Sequence, residues 1–221
     1  MKRTIITTAD GSRTLAIEDW NEHYHSTHGA VNEAFHVFID HGLAVCAQKE
    51  VSILEVGFGT GLNALITMHE AKKRNQSIAY TGVEAYPVSL DEVDQLNYVD
   101  ELDVPHLRTA YLKMHQCPWG VEVPLTPGFT LVKQKKDFDQ ISDQGAFDLI
   151  YFDAFGPRVQ PELWTFSIFS KMFNALRSKG VLVTYSAKGS VRRALQEVGF
   201  SVERLPGPPG KREMLRGRKS Q

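Results

Sequence analysis

The fold of this chain is decided by the stretch Ile53-Leu54-Glu55-Val56-Gly57-Phe58-Gly59-Thr60-Gly61-Leu62-Asn63. An apolar run leads into three glycines that alternate with other residues, and a helix-like segment begins near Asn63. Glycines permit a tight turn from strand to helix, let the backbone approach a ligand and leave the helix N-terminus open to it. The stretch therefore predicts a strand, a turn and a helix that together bind a nucleotide-like ligand.

Strand-like runs alternate with helix-like segments around this stretch. Short runs rich in β-branched and aromatic residues cover 51–56, 78–83, 129–132, 147–152 and 181–185. Helix-like segments begin near Asn63, Ser89, Pro161 and Gly189. Alternation of this kind is typical of a doubly wound α/β sheet.

The N-terminal part of the chain carries different signals. Residues 5–8 and 14–18 alternate apolar and polar side chains on either side of Asp10-Gly11, a dipeptide that favours a hairpin turn. Apolar residues at mixed helical spacing from 32 to about 46 predict a mostly buried helix. We therefore expect a small hairpin followed by a helix ahead of the main sheet.

The composition is that of a globular protein of one domain, with 221 residues, 42% apolar residues and 23% charged residues. Within it, we expect residues 1–48 to form an extension that packs on a core of residues 49–221. No run approaches the roughly 18 consecutive apolar residues of a membrane helix, and no apolar run follows the basic start, which favours a cytoplasmic protein. Cys46 and Cys117 lie far apart and form neither a disulfide framework nor a zinc motif.

The spacing of the glycines discriminates between nucleotide ligands. A dinucleotide fingerprint G-x-G-x-x-G needs a glycine at position 62, where this chain has leucine. NAD is therefore disfavoured. The pattern E-x-G-x-G-x-G instead resembles the first motif of Rossmann-like methyltransferases that bind S-adenosylmethionine (SAM). This resemblance implies a SAM site that includes Glu55, Gly57, Phe58, Gly59, Thr60, Gly61 and Asn63.

Acidic residues follow two further predicted strands. Glu84 lies 23 residues beyond Gly61, close to the interval of about 20 at which an acid meets the ribose hydroxyls, and Ala85 stands beside it. A surface glutamate that caps the next helix is the alternative. In the methyltransferase scheme, Asp137 would accept a hydrogen bond from the adenine amino group while Phe138 packs nearby, and a plain helix N-cap is the alternative for Asp137.

Asp153 is the predicted catalytic residue. The preceding run, 147–152, is apolar on both faces and brings Asp153 to its carboxyl end, where open α/β sheets hold their ligands. Gly156-Pro157 then fixes a loop that lets Phe155 reach over the pocket. We predict that Asp153 positions an incoming nucleophile, and a structural aspartate that caps the loop is the alternative.

Four separated segments resemble the methyltransferase of the MnmC/MnmD family: 52–65, 151–165, 186–200 and 210–217. Asp10-Gly11-Ser12, His28-Gly29-Ala30 and His36-Val37-Phe38 fit as well. The resemblance implies the class I SAM-dependent methyltransferase fold, with a mostly parallel seven-stranded sheet. It also implies methyl transfer from SAM to the primary amine of 5-aminomethyl(-2-thio)uridine at the wobble position of tRNA.

In the two-domain members of that family a flavin-dependent oxidase follows the methyltransferase. Here the chain ends soon after K-R-E-M-L-R-G and holds no second nucleotide-binding motif. The resemblance therefore implies the stand-alone form, without an oxidase domain. Its substrate would arrive already as the aminomethyl nucleoside.

The tRNA acceptor suggests a further set of residues. A wobble base is unpaired and can be splayed into a pocket and stacked on aromatic side chains, for which Tyr24, Phe155 and Trp164 are candidates. Glu33 is a candidate contact to the methionine end of SAM or to the amine. Residues 186–221 carry a local charge of +6 and the rest of the chain −7, which favours a polyanionic partner such as the anticodon region of tRNA. Candidate phosphate contacts are Lys188, Arg192, Arg193, Lys211 and Arg212.

Alternatives to this function stay open from the sequence. One is a SAM-dependent methyl- or aminopropyltransferase that acts on a small-molecule amine, and another is a non-catalytic module that binds SAM and RNA. The basic residues could equally form a solvated surface. His23, His25 and His28 lack accompanying thiolate or carboxylate ligands, so no metal is predicted. The number of copies in the functional protein is not predicted.

Overall fold

The computed structural model describes residues 2–220, and it begins with a small antiparallel sheet in the order β1-β2-β3. Its strands are β1 (Arg3–Thr7), β2 (Arg13–Ile17) and β3 (Glu22–His23). The turn between β1 and β2 contains Asp10-Gly11 and is closed by a hydrogen bond from the Thr8 N–H to the Ser12 carbonyl at 2.8 Å. The predicted hairpin is confirmed, and β3 extends it.

The main sheet has eight strands: β4 (Glu50–Val56), β5 (Ser77–Glu84), β6 (Glu122–Thr126), β7 (Phe129–Lys135), β8 (Phe147–Phe152), β9 (Leu176–Thr184), β10 (Ser201–Pro206) and β11 (Glu213–Arg218). They are ordered β10-β11-β9-β8-β4-β5-β7-β6. The five central strands from β9 to β7 are parallel, while β11 and β6 run antiparallel to their inner neighbours.

This sheet has the mostly parallel α/β architecture that the sequence predicts, with one strand more than the expected seven. The additional strand is β6, a short edge strand that pairs with β7 with a register shift between Pro124 and Thr126. Proline lacks the N–H that a central strand needs, so a run containing Pro124 does not read as a strand. Proline is tolerated here because β6 lies at the edge.

Seven α-helices connect the strands within residues 2–220: α1 (Ala30–Ala34), α2 (Leu62–Lys73), α3 (Leu90–Val93), α4 (Tyr98–Glu101), α5 (Arg108–Gln116), α6 (Phe166–Ala175) and α7 (Gly189–Val198). The predicted starts near Asn63, Ser89 and Gly189 are confirmed to within one residue. Ser89 caps α3 in a capping box with Glu92. At Pro161, where a helical start is also predicted, a 3-10 turn begins, and the α-helix itself starts five residues later, at Phe166.

That difference arises because two elements follow each other closely. Pro161–Trp164 form a single 3-10 turn, and α6 begins only at Phe166. The Thr165 hydroxyl accepts a hydrogen bond from the Ile168 N–H and so caps α6. Proline favours the first turn of either helix type, so it marks a helical start without distinguishing the 3-10 turn from the longer helix.

The helix predicted between 32 and about 46 is present but irregular. α1 widens into π-helical turns over Phe35–Asp40, and a separate 3-10 turn covers Leu43–Val45. Three consecutive residues, 37–39, are buried. The apolar stripe on one face of a regular α-helix is too narrow to bury three consecutive side chains. The mixed spacing of apolar residues in the sequence therefore corresponds to an irregular helix.

Apolar side chains cover both faces of the main sheet. Strand β8 shows this most clearly, because Leu149 and Tyr151 pack in the core on one face while Ile150 and Phe152 pack on the other. Burying side chains of this size stabilises the fold by roughly 1.5–3 kcal/mol each. The carboxyl end of β8 is therefore firmly placed. No helix within residues 2–220 is long and apolar enough to span a membrane.

Candidate active site

A cavity of about 510 Å³ opens at the carboxyl ends of β4, β5 and β8. Its volume lies within the range of roughly 300–1,000 Å³ typical of small-molecule sites. The structure brings together in its wall most of the residues predicted from the sequence. They are Tyr24, Glu55, Gly57, Phe58, Gly59, Thr60, Asn63, Glu84, Ala85, Asp137, Phe138, Asp153 and Phe155.

The glycine turn lies against the end of β8. Gly57 has a φ of +94°, and a Cβ at this position would lie 2.6 Å from the Asp153 carbonyl oxygen. Only glycine combines this backbone conformation with so close an approach. The N–H groups of Gly57 and Phe58 both donate to the Val83 carbonyl at 3.0 Å, which ties the turn to β5 as well. Gly61 does not line the cavity but precedes the first residue of α2.

Glu84 is held at the end of β5 by backbone donors. Its Oε2 accepts from the Gly59 N–H at 3.0 Å, and its Oε1 accepts from the Tyr86 N–H at 2.8 Å. Each carboxylate oxygen has more than one lone pair, so both can accept a further hydrogen bond from a hydroxyl in the cavity. The next helix, α3, is capped by Ser89 and not by Glu84.

Asp137 and Phe138 follow β7 on the same side of the sheet. The Asp137 side chain is exposed and makes no capping hydrogen bond to the 3-10 turn Phe138–Gln140. Its carboxylate is therefore available to a ligand in the cavity. Phe138 is buried beside it and gives this end of the cavity an apolar surface.

Asp153 belongs to a hydrogen-bonded chain at the centre of the cavity. The Asn63 amide nitrogen donates to Asp153 Oδ2 and to Glu55 Oε1, both at 2.8 Å. The Tyr80 hydroxyl donates to the other Glu55 oxygen at 2.9 Å. One amide group therefore orients two carboxyl groups.

Burial changes the proton affinity of both carboxyl groups. It raises the pKa of Asp153 to about 7, although the hydrogen bond from Asn63 acts in the opposite direction. Burial also raises the pKa of Glu55 well above its ordinary value. A carboxyl group with a pKa near neutrality can both release and accept a proton at physiological pH, as a general base must.

Three aromatic side chains form another part of the wall. Phe155 meets Trp20 and Tyr24 edge to face, with ring centroids 5.6 and 5.0 Å apart. Arg158 fastens this loop to β3 through an ion pair with Glu22 at 2.8 Å. Sequence reasoning missed Trp20. The available signal was a tryptophan within the polar run Glu18-Asp19-Trp20-Asn21-Glu22, where no core position is expected.

Trp164 does not form part of this wall, contrary to the prediction. It is 5% exposed and packs against Phe152 and Phe169 in the core, at centroid distances of 5.0 and 6.3 Å. Its indole N–H donates to the Phe155 carbonyl at 2.8 Å. Trp164 therefore supports the Phe155 loop from below. For a side chain of this size, burial in the hydrophobic layer between β8 and α6 is more favourable than exposure in the cavity wall.

Lys211 is also placed differently from the prediction. Its ammonium pairs with Glu33 and lies 4.0 Å from the centroid of the Tyr185 ring. The ammonium is therefore engaged by groups of the protein itself. Glu33 has a side chain only 10% exposed and also accepts from the Ser26 N–H at 2.9 Å. Glu33 and Lys211 lie behind Tyr185, a cavity residue that sequence reasoning missed.

The remaining predicted phosphate contacts lie on the surface. Lys188, Arg193 and Arg212 are exposed, and Arg192 is half-buried. Within residues 2–220, the Arg192 Nε is buried and has no hydrogen-bond partner. These side chains are not part of the cavity wall.

Two histidines that the sequence groups together, His23 and His25, line the cavity. The His25 Nδ1 lies 2.8 Å from the Thr14 hydroxyl, and burial lowers the pKa of His25 to about 4. His25 is therefore neutral at pH 7, and its Nδ1 is engaged in a hydrogen bond with the Thr14 hydroxyl. Among the residues that the structure describes, no three His, Cys, Asp or Glu side chains are grouped so as to hold a metal ion.

A family model described as S-adenosyl-L-methionine-dependent methyltransferase matches residues 129–220. The tRNA 5-methylaminomethyl-2-thiouridine biosynthesis bifunctional protein MnmC of Aromatoleum aromaticum is 32% identical over 215 residues, which cover 88% of this chain and 32% of that protein. MnmC of Cupriavidus necator is 31% identical over 211 residues, covering 88% of this chain and 31% of that protein. The chain thus spans about a third of the length of these curated relatives.

A solved structure extends the comparison to the fold. The crystal structure of MNMC2 from Aquifex aeolicus matches with a TM-score of 0.81 and 26% sequence identity, covering 100% of this chain and 71% of that chain. The predicted fold class and cofactor are confirmed by these matches and by the mostly parallel sheet. The chain has the class I fold of S-adenosylmethionine-dependent methyltransferases, its residues 129–220 match the family model of those enzymes, and it resembles MnmC over most of its length.

Proposed function

We propose that this enzyme acts in the cytoplasm on tRNA and converts 5-aminomethyl(-2-thio)uridine at the wobble position to 5-methylaminomethyl(-2-thio)uridine. One observation carries the proposal. A single cavity contains the glycine turn, an aromatic wall and the carboxyl group of Asp153, whose pKa burial raises to about 7. The chain that builds this cavity resembles proteins named for 5-methylaminomethyl-2-thiouridine biosynthesis.

The residues on one side of the cavity fit SAM. Glu84 would accept from the ribose hydroxyls and Asp137 from the adenine amino group, while Ala85 and Phe138 pack nearby. The backbone of residues 57–61 and the Glu55–Asn63 pair would hold the methionine end. When bound, SAM supplies an electrophilic methyl group whose bond to sulfur breaks with the electron pair remaining on sulfur.

On the other side of the cavity, Asp153 would prepare the amine. A primary alkylammonium has a pKa near 10.4, by analogy with lysine, so it must lose a proton before its nitrogen can form a bond. Asp153 would accept that proton while Asn63 keeps the carboxyl group oriented. Alignment of the neutral nitrogen and exclusion of water would supply much of the remaining acceleration.

Two groups of residues would hold the tRNA, one in the cavity and one on the surface. The unpaired wobble base would stack on Trp20, Tyr24 and Phe155, because splayed bases are recognised by aromatic side chains. The surface cations would contact phosphates of the anticodon region. They are Lys188, Arg192, Arg193 and Arg212.

The test is methyl transfer from isotope-labelled SAM to tRNA that carries the aminomethyl uridine. We expect label in that nucleoside and none in tRNA that lacks the aminomethyl group. Label in free alkylamines without label in tRNA would contradict the proposal and favour a small-molecule substrate. Binding of SAM without any transfer would favour a non-catalytic module.

A further inference from the structure

Lys211 reaches the neighbourhood of Asp153 through a chain of contacts. Its ammonium binds Glu33 of α1 and lies over the ring of Tyr185, which follows β9. The Tyr185 hydroxyl donates to the Ala154 carbonyl at 2.8 Å. Because Ala154 directly follows Asp153, these contacts connect Lys211 to the backbone of the catalytic residue.

The loop that carries Lys211 is held tightly against the N-terminal segment. The Lys211 N–H donates to the Pro208 carbonyl at 2.9 Å, which closes a turn within the loop. Gly210 has a φ of +83°, and any Cβ there would collide with the ring of His28. The backbone position of Lys211 is thus determined by the turn and by packing against His28.

Burial makes the ion pair sensitive to the loss of either partner. The Glu33 side chain is 10% exposed and that of Lys211 is 33% exposed. An ammonium over an aromatic ring gains further electrostatic stabilisation. Removal of one member of such a pair leaves the other charge in a poorly solvated place.

We infer that Lys211 is a positioning residue for Asp153: its ammonium, bound to Glu33 and lying over Tyr185, braces the end of β8 and sets the electrostatic field at the Asp153 carboxyl group. The inference rests on the proposed function only for the identity of the amine that Asp153 deprotonates. It replaces the phosphate contact predicted for Lys211 from the sequence.

The charges around Asp153 determine the direction in which Lys211 shifts its pKa. The titratable groups that act on Asp153 or respond to it are Glu55 of β4, Tyr80 of β5, Glu33 of α1, Tyr185 after β9, and Lys211. Burial raises the pKa of Asp153, Glu33 raises it further, and Lys211 lowers it. Lys211 therefore keeps Asp153 able to ionise near pH 7.

The two members of the ion pair should shift the titration of Asp153 in opposite directions. Lys211→Met removes a positive charge, so Asp153 should titrate at higher pH and turnover at pH 7 should fall about tenfold. Glu33→Gln removes a negative charge, so Asp153 should titrate at lower pH. Lys211→Arg keeps the charge and should preserve the wild-type pH profile. Lys72→Met, a matched substitution at an exposed position of α2, should change nothing.

The experiment measures both the pH profile of turnover and the titration of Asp153 itself. Carbon-13 NMR of aspartate-labelled protein, with Asp153→Asn to assign the signal, follows that carboxyl group without SAM or tRNA. Opposite shifts in Lys211→Met and Glu33→Gln support the inference. Identical profiles in all variants, or a loss in Lys211→Met confined to the KM for tRNA, would overturn it.

The NMR titration also separates this inference from the proposed function. If the Asp153 signal shifts as expected while no tRNA is methylated, the proposed substrate is wrong and the role of Lys211 stands. If Lys211→Met does not fold, Glu33→Gln and Lys211→Arg still provide the test. An unshifted Asp153 signal in Glu33→Gln would then overturn the inference.

Discussion

The two halves of the cavity differ in how far apart along the chain their residues lie. The cofactor half consists of residues 57–60 of the glycine turn with Glu84 and Asp137, and each of its parts sits at the carboxyl end of a parallel strand. The acceptor half consists of Trp20, Tyr24, Phe155 and Tyr185, which come from three separate segments. Asp153 lies between the halves.

This difference shows how rigid and adaptable parts share one site. Strand ends in the buried sheet fix the cofactor half through backbone hydrogen bonds, such as that from Gly59 to Glu84 at 3.0 Å. The acceptor half depends on side chains that pack between loops and termini. Loops vary more readily than a sheet, so the acceptor half is the place where substrate specificity can change.

The largest effect is expected at the residue shared by both halves. Asp153→Asn removes the proton acceptor but keeps an oxygen that can accept from Asn63. We expect turnover to fall by about 10²–10⁴-fold, with SAM affinity nearly unchanged. Single-turnover methyl transfer and calorimetric titration with SAM measure the two quantities. Wild-type turnover in this variant would remove Asp153 from the mechanism.

A substitution in the glycine turn should disrupt the cofactor half. In Gly57→Ala the new methyl group would lie 2.6 Å from the Asp153 carbonyl oxygen, at a φ of +94°. The backbone must move, so we expect SAM affinity to fall at least about tenfold and the free energy of unfolding to fall by about 1–3 kcal/mol.

Gly120→Ala provides the matched control for that experiment. Gly120 has a φ of +76°, but a Cβ there meets nothing within 4 Å. It should therefore cost only the backbone strain, about 1–2 kcal/mol, and leave SAM affinity unchanged. Equal losses of SAM affinity in the two variants would contradict a specific role for the close approach at Gly57.

Two tryptophans distinguish the acceptor half from the core. Trp20→Ala should weaken tRNA binding by about tenfold, because base stacking on an aromatic side chain contributes roughly 1–3 kcal/mol. Trp164→Ala should instead lower the free energy of unfolding by about 3–5 kcal/mol, since Trp164 is a core residue. Equilibrium denaturation and tRNA titration measure both effects. A reversed pattern would mean that the aromatic wall has been assigned to the wrong side chains.

The sequence predicts for a physical reason which residues of the cofactor half line the cavity. A strand, a glycine turn and a strand-end acid are local patterns, and parallel strands bring their carboxyl ends to one edge. Glu55, Glu84, Asp137 and Asp153 were all predicted in this way, and all four line the cavity. The strand order of the sheet and the additional β6 depend on pairing between distant segments, which local patterns do not specify.

The contacts that support the acceptor half were harder to predict because they are long-range. Glu33 and Lys211 are 178 residues apart in the sequence, and nothing local to either residue indicates the other. A lysine in a basic segment is typical of a surface, so Lys211 was assigned to phosphate. Trp164 and Trp20 show the same limit, because burial depends on packing that single positions do not reveal.

The smallest effect is expected on the surface, at a side chain outside the cavity wall. Arg212 directly follows Lys211 but is exposed, so Arg212→Gln should reduce tRNA affinity only a few-fold and lower the slope of log K against log salt by about one. Lys211→Met, measured in the same way, should leave that slope unchanged because its ammonium is bound to Glu33. Salt titrations of tRNA binding compare the two variants directly. A lowered slope for Lys211→Met and an unchanged slope for Arg212→Gln would exchange the roles of these two neighbours and return Lys211 to the tRNA interface.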